Sequence, residues 1–156
     1  MKSRNYLLVL ALVAIIAAAA VFLVLTRPVS PAAVPDKNAS FQNAGALYTK
    51  SVDLANQGNY QQALDAADQA LALNESSLTP VIQANRAGIL VMLGDNAGAI
   101  TAADVAIFSE GNLTTTRSIA WFNKGNALRN LGRIDEARAA YANATALDPT
   151  LQAPNI

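Results

Sequence analysis

Asp65 and Asp68 stand three residues apart in "ALDAADQAL", a spacing that puts two carboxylates on one face of a helix. Such a pair could share a proton for acid–base work or hold a hard cation. The rest of the chain completes neither chemistry. The sequence has no His and no Cys, which excludes imidazole bases, thiolate nucleophiles and the usual zinc ligands. No third ligand or nucleophile stands near the pair, so a solvated helix face is the better reading. Neither an enzyme, nor a metal, nor a cofactor is expected. The second candidate group is Asn123, Asn126 and Asn130, which recur at helical spacing and form one polar strip. Asn is a mediocre helix former, and its amide both donates to and accepts from a peptide backbone. The strip therefore reads either as a binding surface or as a solvated face.

The elements that carry these residues occupy only part of the chain. Residues 6–25, "YLLVLALVAIIAAAAVFLVL", hold no charge, Pro or Gly. Twenty helical residues rise about 30 Å, the thickness of a bilayer core, so this segment reads as a transmembrane anchor; a cleaved signal peptide is the alternative. Lys2 and Arg4 flank one side and Arg27 the other. The positive-inside rule then keeps residues 1–5 in the cytoplasm and exports the body. Residues 26–39 contain Pro28, Pro31 and Pro35, which favour an extended spacer. Beyond residue 27 there are eight basic and eleven acidic residues, so the body lacks the basic stripe that nucleic acid requires. Glycosylation acceptor patterns begin at Asn38, Asn74 and Asn112, with a weaker one, mid-helix, at Asn143.

The body repeats. Gly58, Gly94 and Gly132 each follow an apolar helix-like run and precede another, the position where a left-handed residue ends a helix. Aligned on these glycines, Leu54, Leu90 and Leu128 coincide, as do Ala63, Ala99 and Ala137, and then Ala70, Ala106 and Ala144. Helices joined by a short turn cross closely only where side chains are small. Gly125 and Ala137 are accordingly expected to face one another, with Trp121 and Tyr141 supplying the large apolar area. Thr79 before Pro80, and Thr114, Thr115 or Thr116, are the expected helix caps. Arg86 and Lys124, at equivalent positions, are expected to pack their stems and surface their charges.

The set Trp121, Gly125, Leu128, Gly132, Ala137, Tyr141, Ala144 and Asp148-Pro149 resembles the tetratricopeptide repeat (TPR). Weaker copies lie at about residues 44–75 and 80–111, ahead of the full one at 118–149. The resemblance implies an all-α fold over residues 40–150: three stacked helix–turn–helix repeats forming a short right-handed superhelix, here preceded by one transmembrane helix and followed by a tail, residues 151–156. It also implies a protein or peptide partner held in a concave groove lined by the first helix of each unit. Carried over column by column, the groove residues are Tyr48, Thr49, Val52 and Asn56, then Asn85, Gly88, Val91 and Met92, then Phe122, Asn123, Asn126, Arg129 and Asn130. Some members of the family clamp a terminal carboxylate with basic residues; those columns here hold Tyr48, Ile119 and Asn123, so a neutral or mixed ligand is expected. No capping helix follows the last unit, although Arg138, Asn143 and Thr145 make its outer side polar. That end is the alternative docking surface, through which the chain would self-associate as a homo-oligomer.

Overall fold

The computed structural model describes residues 37–111 and 113–156; the apolar segment 6–25, the spacer up to residue 36, and Asn112 lie outside the described residues. Among the described residues there are six helices and no strand: α1 Lys37–Asn56, α2 Tyr60–Ala72, α3 Thr79–Leu93, α4 Asn96–Phe108, α5 Thr114–Asn130 and α6 Ile134–Leu147. None is long and apolar enough to cross a membrane. Residues 37–39, expected in the spacer, are already helical in α1. No Pro or Gly stands between Pro35 and Gly45 to delay it.

The helices break where the glycines are. Gly58, Gly94 and Gly132 have φ of 78°, 84° and 75°, a backbone region closed to most side chains. After α2 the same role falls to Asn74, with φ 56°, since Asn tolerates this conformation better than most residues. Helix starts depart from expectation. Leu78 takes the cap position of α3, and the Thr79 hydroxyl donates back to the Glu75 carbonyl at 3.2 Å. Leu113 takes the cap position of α5, and Thr114, Thr115 and Thr116 lie within the helix. The side-chain cap is Asp95 on α4, whose carboxylate accepts from the Gly98 amide at 2.9 Å.

Each first helix packs on its own second helix, and each second helix packs on the first helix of the next unit; α3 also packs directly on α5. The small-residue register makes this possible. Ala63, Ala99 and Ala137 are fully buried, and so, within 1%, are Ala70, Ala106 and Ala144. At Gly125 the nearest atoms are those of Tyr141: a Cβ there would come 2.7 Å from Cδ1 and Cε1 of its ring. The ring lies in the space a side chain at 125 would need.

The charges at Arg86 and Lys124 do more than surface. Arg86 Nε reaches Asp68 Oδ1 at 2.7 Å, and Lys124 Nζ reaches Asp104 Oδ1 at 2.6 Å. Both pairs join a second helix to the next unit's first helix at the same register, and Lys124 also lies 5.2 Å from the Trp121 ring centroid. Asp68 is thus part of an inter-unit seam, while Asp65 accepts from Gln61 Nε2 on its own helix. The pairs are half open to water, so their worth lies mainly in fixing register.

Gln83 sits where the other units place Leu47 and Trp121. Its Oε1 is buried without a hydrogen-bond partner among the described residues. Gln83→Leu removes that orphan acceptor and is expected to stabilise the fold by about 1–2 kcal/mol, read as a higher urea midpoint with unchanged slope.

The last repeat is not left bare. Residues 151–156 turn back along α6: Ile156 packs on the cluster of Leu128, Ala137, Ala140 and Tyr141, and Arg138 Nε and Nη2 donate to the Ile156 main-chain oxygen at 3.0 and 2.8 Å. This extended tail, with one apolar side chain, covers part of the surface that the last repeat presents.

Candidate functional site

The first helices α1, α3 and α5 bound a hollow of about 310 Å³ on one side of the domain. Six residues expected in the groove line it: Asn85, Gly88, Val91 and Met92 from α3, and Asn123 and Asn126 from α5. Ala55, Tyr60, Ile89 and Ile119 complete the wall. Tyr60 opens α2, a second helix, and Ile119 stands in a column that is basic in members of the family that clamp a carboxylate, so the repeat pattern marks neither as a groove residue. Met92 and Ile119 are 59% and 41% exposed; two large apolar side chains facing water in one concavity are a ready contact surface. No charged side chain lines the hollow.

The other expected residues are placed elsewhere. Tyr48 packs against the cluster of Ala67, Ala70 and Ile82. The Thr49 hydroxyl donates to the Gly45 carbonyl one turn back on α1. Val52 is half-buried, and Asn56 is exposed near the end of α1. Phe122 meets Tyr141 edge-on, with ring centroids 5.4 Å apart. Arg129 lies close enough to Tyr141 for its charge to oppose the rise that burial imposes on the phenol pKa. Asn130 Nδ2 donates to Asn96 Oδ1 at 3.1 Å, between units two and three. The strip of three Asn residues therefore splits: Asn123 and Asn126 reach the hollow and Asn130 does not line it.

Each amide in the hollow is also tied to the scaffold. Asn85 Nδ2 donates to Ser51 Oγ at 2.9 Å, and Ser51 in turn donates to the Ala63 carbonyl at 2.8 Å. Asn123 Nδ2 donates to the Ala84 carbonyl at 3.0 Å, and Tyr141 Oη donates to Asn126 Oδ1 at 2.7 Å. Gly88 gives Asn123 its room: a Cβ at 88 would stand 3.1 Å from Asn123 Nδ2. The polar groups are thus held by neighbouring helices in fixed orientations, an advantage for binding because little rotamer freedom remains to be lost.

Among the expected glycosylation acceptors, Asn38 is exposed in the first turn of α1 and Asn74 is exposed at the turn after α2, while Asn112 lies outside the described residues. No cluster of three or more acidic side chains that could hold a metal is found among the described residues.

Sequence models of the tetratricopeptide repeat match residues 118–151 and residues 48–112. The STIP1 homolog of Dictyostelium discoideum is 33% identical over 110 residues, which cover 66% of this chain and 18% of that protein. The chain thus spans less than a fifth of this relative's length. Among solved structures, the first TPR of Spaghetti (RPAP3), bound to the HSP90 peptide SRMEEVD, is similar with a TM-score of 0.62 and 25% identity, over 70% of this chain and 82% of that one. The TPR domain of Arabidopsis OM64 is similar with a TM-score of 0.65 and 19% identity, over 72% and 88%.

Proposed function

Because the chain is a tetratricopeptide repeat protein, we propose that it is a membrane-anchored scaffold whose concave groove holds an extended segment of a partner protein. The observation that carries this reading is the hollow between α1, α3 and α5, where Met92 and Ile119 face water beside amides already held in place. It is supported by the peptide in the first TPR of Spaghetti. The apolar residues 6–25 supply the anchor, with the N-terminus cytoplasmic and the repeats outside. A photo-crosslinking residue at Met92 in native membranes is expected to capture a defined protein that the same residue at the exposed Gln57 does not. Equal capture at both positions would remove the groove from the reading. A reporter fused after Ile156 is expected to read extracytoplasmic; a cytoplasmic signal would remove the exported orientation.

A further inference from the structure

The bonds that anchor the groove amides also decide which of their atoms remain for a ligand. Ser51 has one hydroxyl hydrogen, and it is spent on the Ala63 carbonyl. Ser51 Oγ can therefore only accept from Asn85, which fixes Nδ2 as the atom turned toward it. A carbonyl never donates, so Asn123 likewise must turn Nδ2 toward the Ala84 oxygen. Both amide oxygens are left without a protein partner among the described residues. Neither is buried, because Gln83 Oε1 is the sole buried side-chain oxygen or nitrogen lacking a partner among those residues. Asn85 and Asn123 hold the same register, nine residues before Gly94 and Gly132. The groove therefore presents two hydrogen-bond acceptors one repeat apart, beside Met92 and Ile119 and with no cation in its wall.

We propose that this groove selects an uncharged segment of its partner. Backbone N–H groups of the segment meet the amide oxygens of Asn85 and Asn123, and an apolar side chain lies on Met92 and Ile119. The inference rests on the groove being the binding site and adds what the site admits. A carboxylate offers only acceptors. Against the two amide oxygens it finds repulsion, and with no Lys or Arg in the wall only neutral donors, Asn126 Nδ2 and the Tyr60 hydroxyl, are left to offset the loss of its hydration, which is too little for a full charge. The SRMEEVD peptide in the first TPR of Spaghetti carries two Glu and one Asp. A ligand of that charge is the kind this groove turns away.

The experiment uses the full chain in detergent micelles against an array of random heptapeptides without charged residues. Each is spotted beside a twin with Asn and Gln changed to Asp and Glu, and with its C-terminus either amidated or free. Retention is expected on neutral, amidated spots, with at least about a fivefold loss on the acidic twins, whose carboxylates give up hydration with no cation to repay it. Ile119→Lys, at an exposed wall position, is expected to return about that factor to the acidic twins while leaving the melting curve in place. Acidic or free-carboxylate spots retained as strongly as neutral ones would overturn the selectivity and leave the groove's binding role standing. An array that retains nothing would overturn both.

Discussion

Gly125→Ala is expected to destabilise the domain by about 1–2 kcal/mol, although by intrinsic propensity the change should help. Ala is favoured over Gly in a helix interior by about 1 kcal/mol, and Gly125 lies well inside α5. Packing decides the sign. The new Cβ would sit 2.7 Å from two carbons of the Tyr141 ring and 3.0 Å from a third. The ring has little freedom to retreat: it is 2% exposed, it meets Phe122 edge-on, and its hydroxyl is bonded to Asn126. Overpacking of a constrained core costs about 1–3 kcal/mol and occasionally more, enough to cancel the propensity gain and exceed it. Gly45→Ala is the matched control. It lies inside α1 with no neighbouring atom within 4 Å of its Cβ position, so propensity acts alone and the domain should gain about 0.5–1 kcal/mol. Chemical unfolding of the two variants beside the parent checks the pair. Movement of both midpoints in one direction would show that the ring does not constrain position 125.

Leu128→Ala should cost about 3–5 kcal/mol, near the upper part of the range for this substitution. Leu128 is 2% exposed and is among the most deeply buried large apolar side chains of the described residues. Its cluster holds Ala137 and Ala140 beside the Tyr141 ring, with Ile100, Trp121, Phe122 and Ile156 packed against it. The alanines cannot swing into a vacated space and Tyr141 is held by its bond to Asn126, so much of the cavity stays open and its penalty is felt. The damage should also reach the groove, because Leu128 shares its cluster with Tyr141 and Tyr141 orients Asn126. Phe108 is the contrast: it is apolar and larger but 76% exposed, so Phe108→Ser should move stability by less than about 0.5 kcal/mol. Circular dichroism melts of both variants test this, and equal losses would mean that burial in this fold does not control the energetics.

Much of the architecture is local, repeated information. The glycines at 58, 94 and 132 end helices because a left-handed backbone is cheap for Gly and costly for other residues, a property that needs no partner. The alanine columns are legible for a related reason: close helix crossing restricts side-chain size at fixed register, and three copies of the restriction align. The absence of His, Cys and a basic stripe is likewise a matter of composition. Sequence periodicity alone placed Asn123, Asn126 and Asn130 on one strip, and here its reach ended. Three residues on one helix face share a direction but not a neighbour. Asn123 is drawn to a carbonyl 39 residues away and Asn130 to an amide 34 residues away, while Asn126 meets a tyrosine 15 residues on. How the helices are rotated against one another, which no local pattern encodes, decided which amide opens into the groove and which of its atoms faces out. The same holds for the tail, whose Ile156 finds its place only because α6 and Leu128 have already assembled the surface it covers.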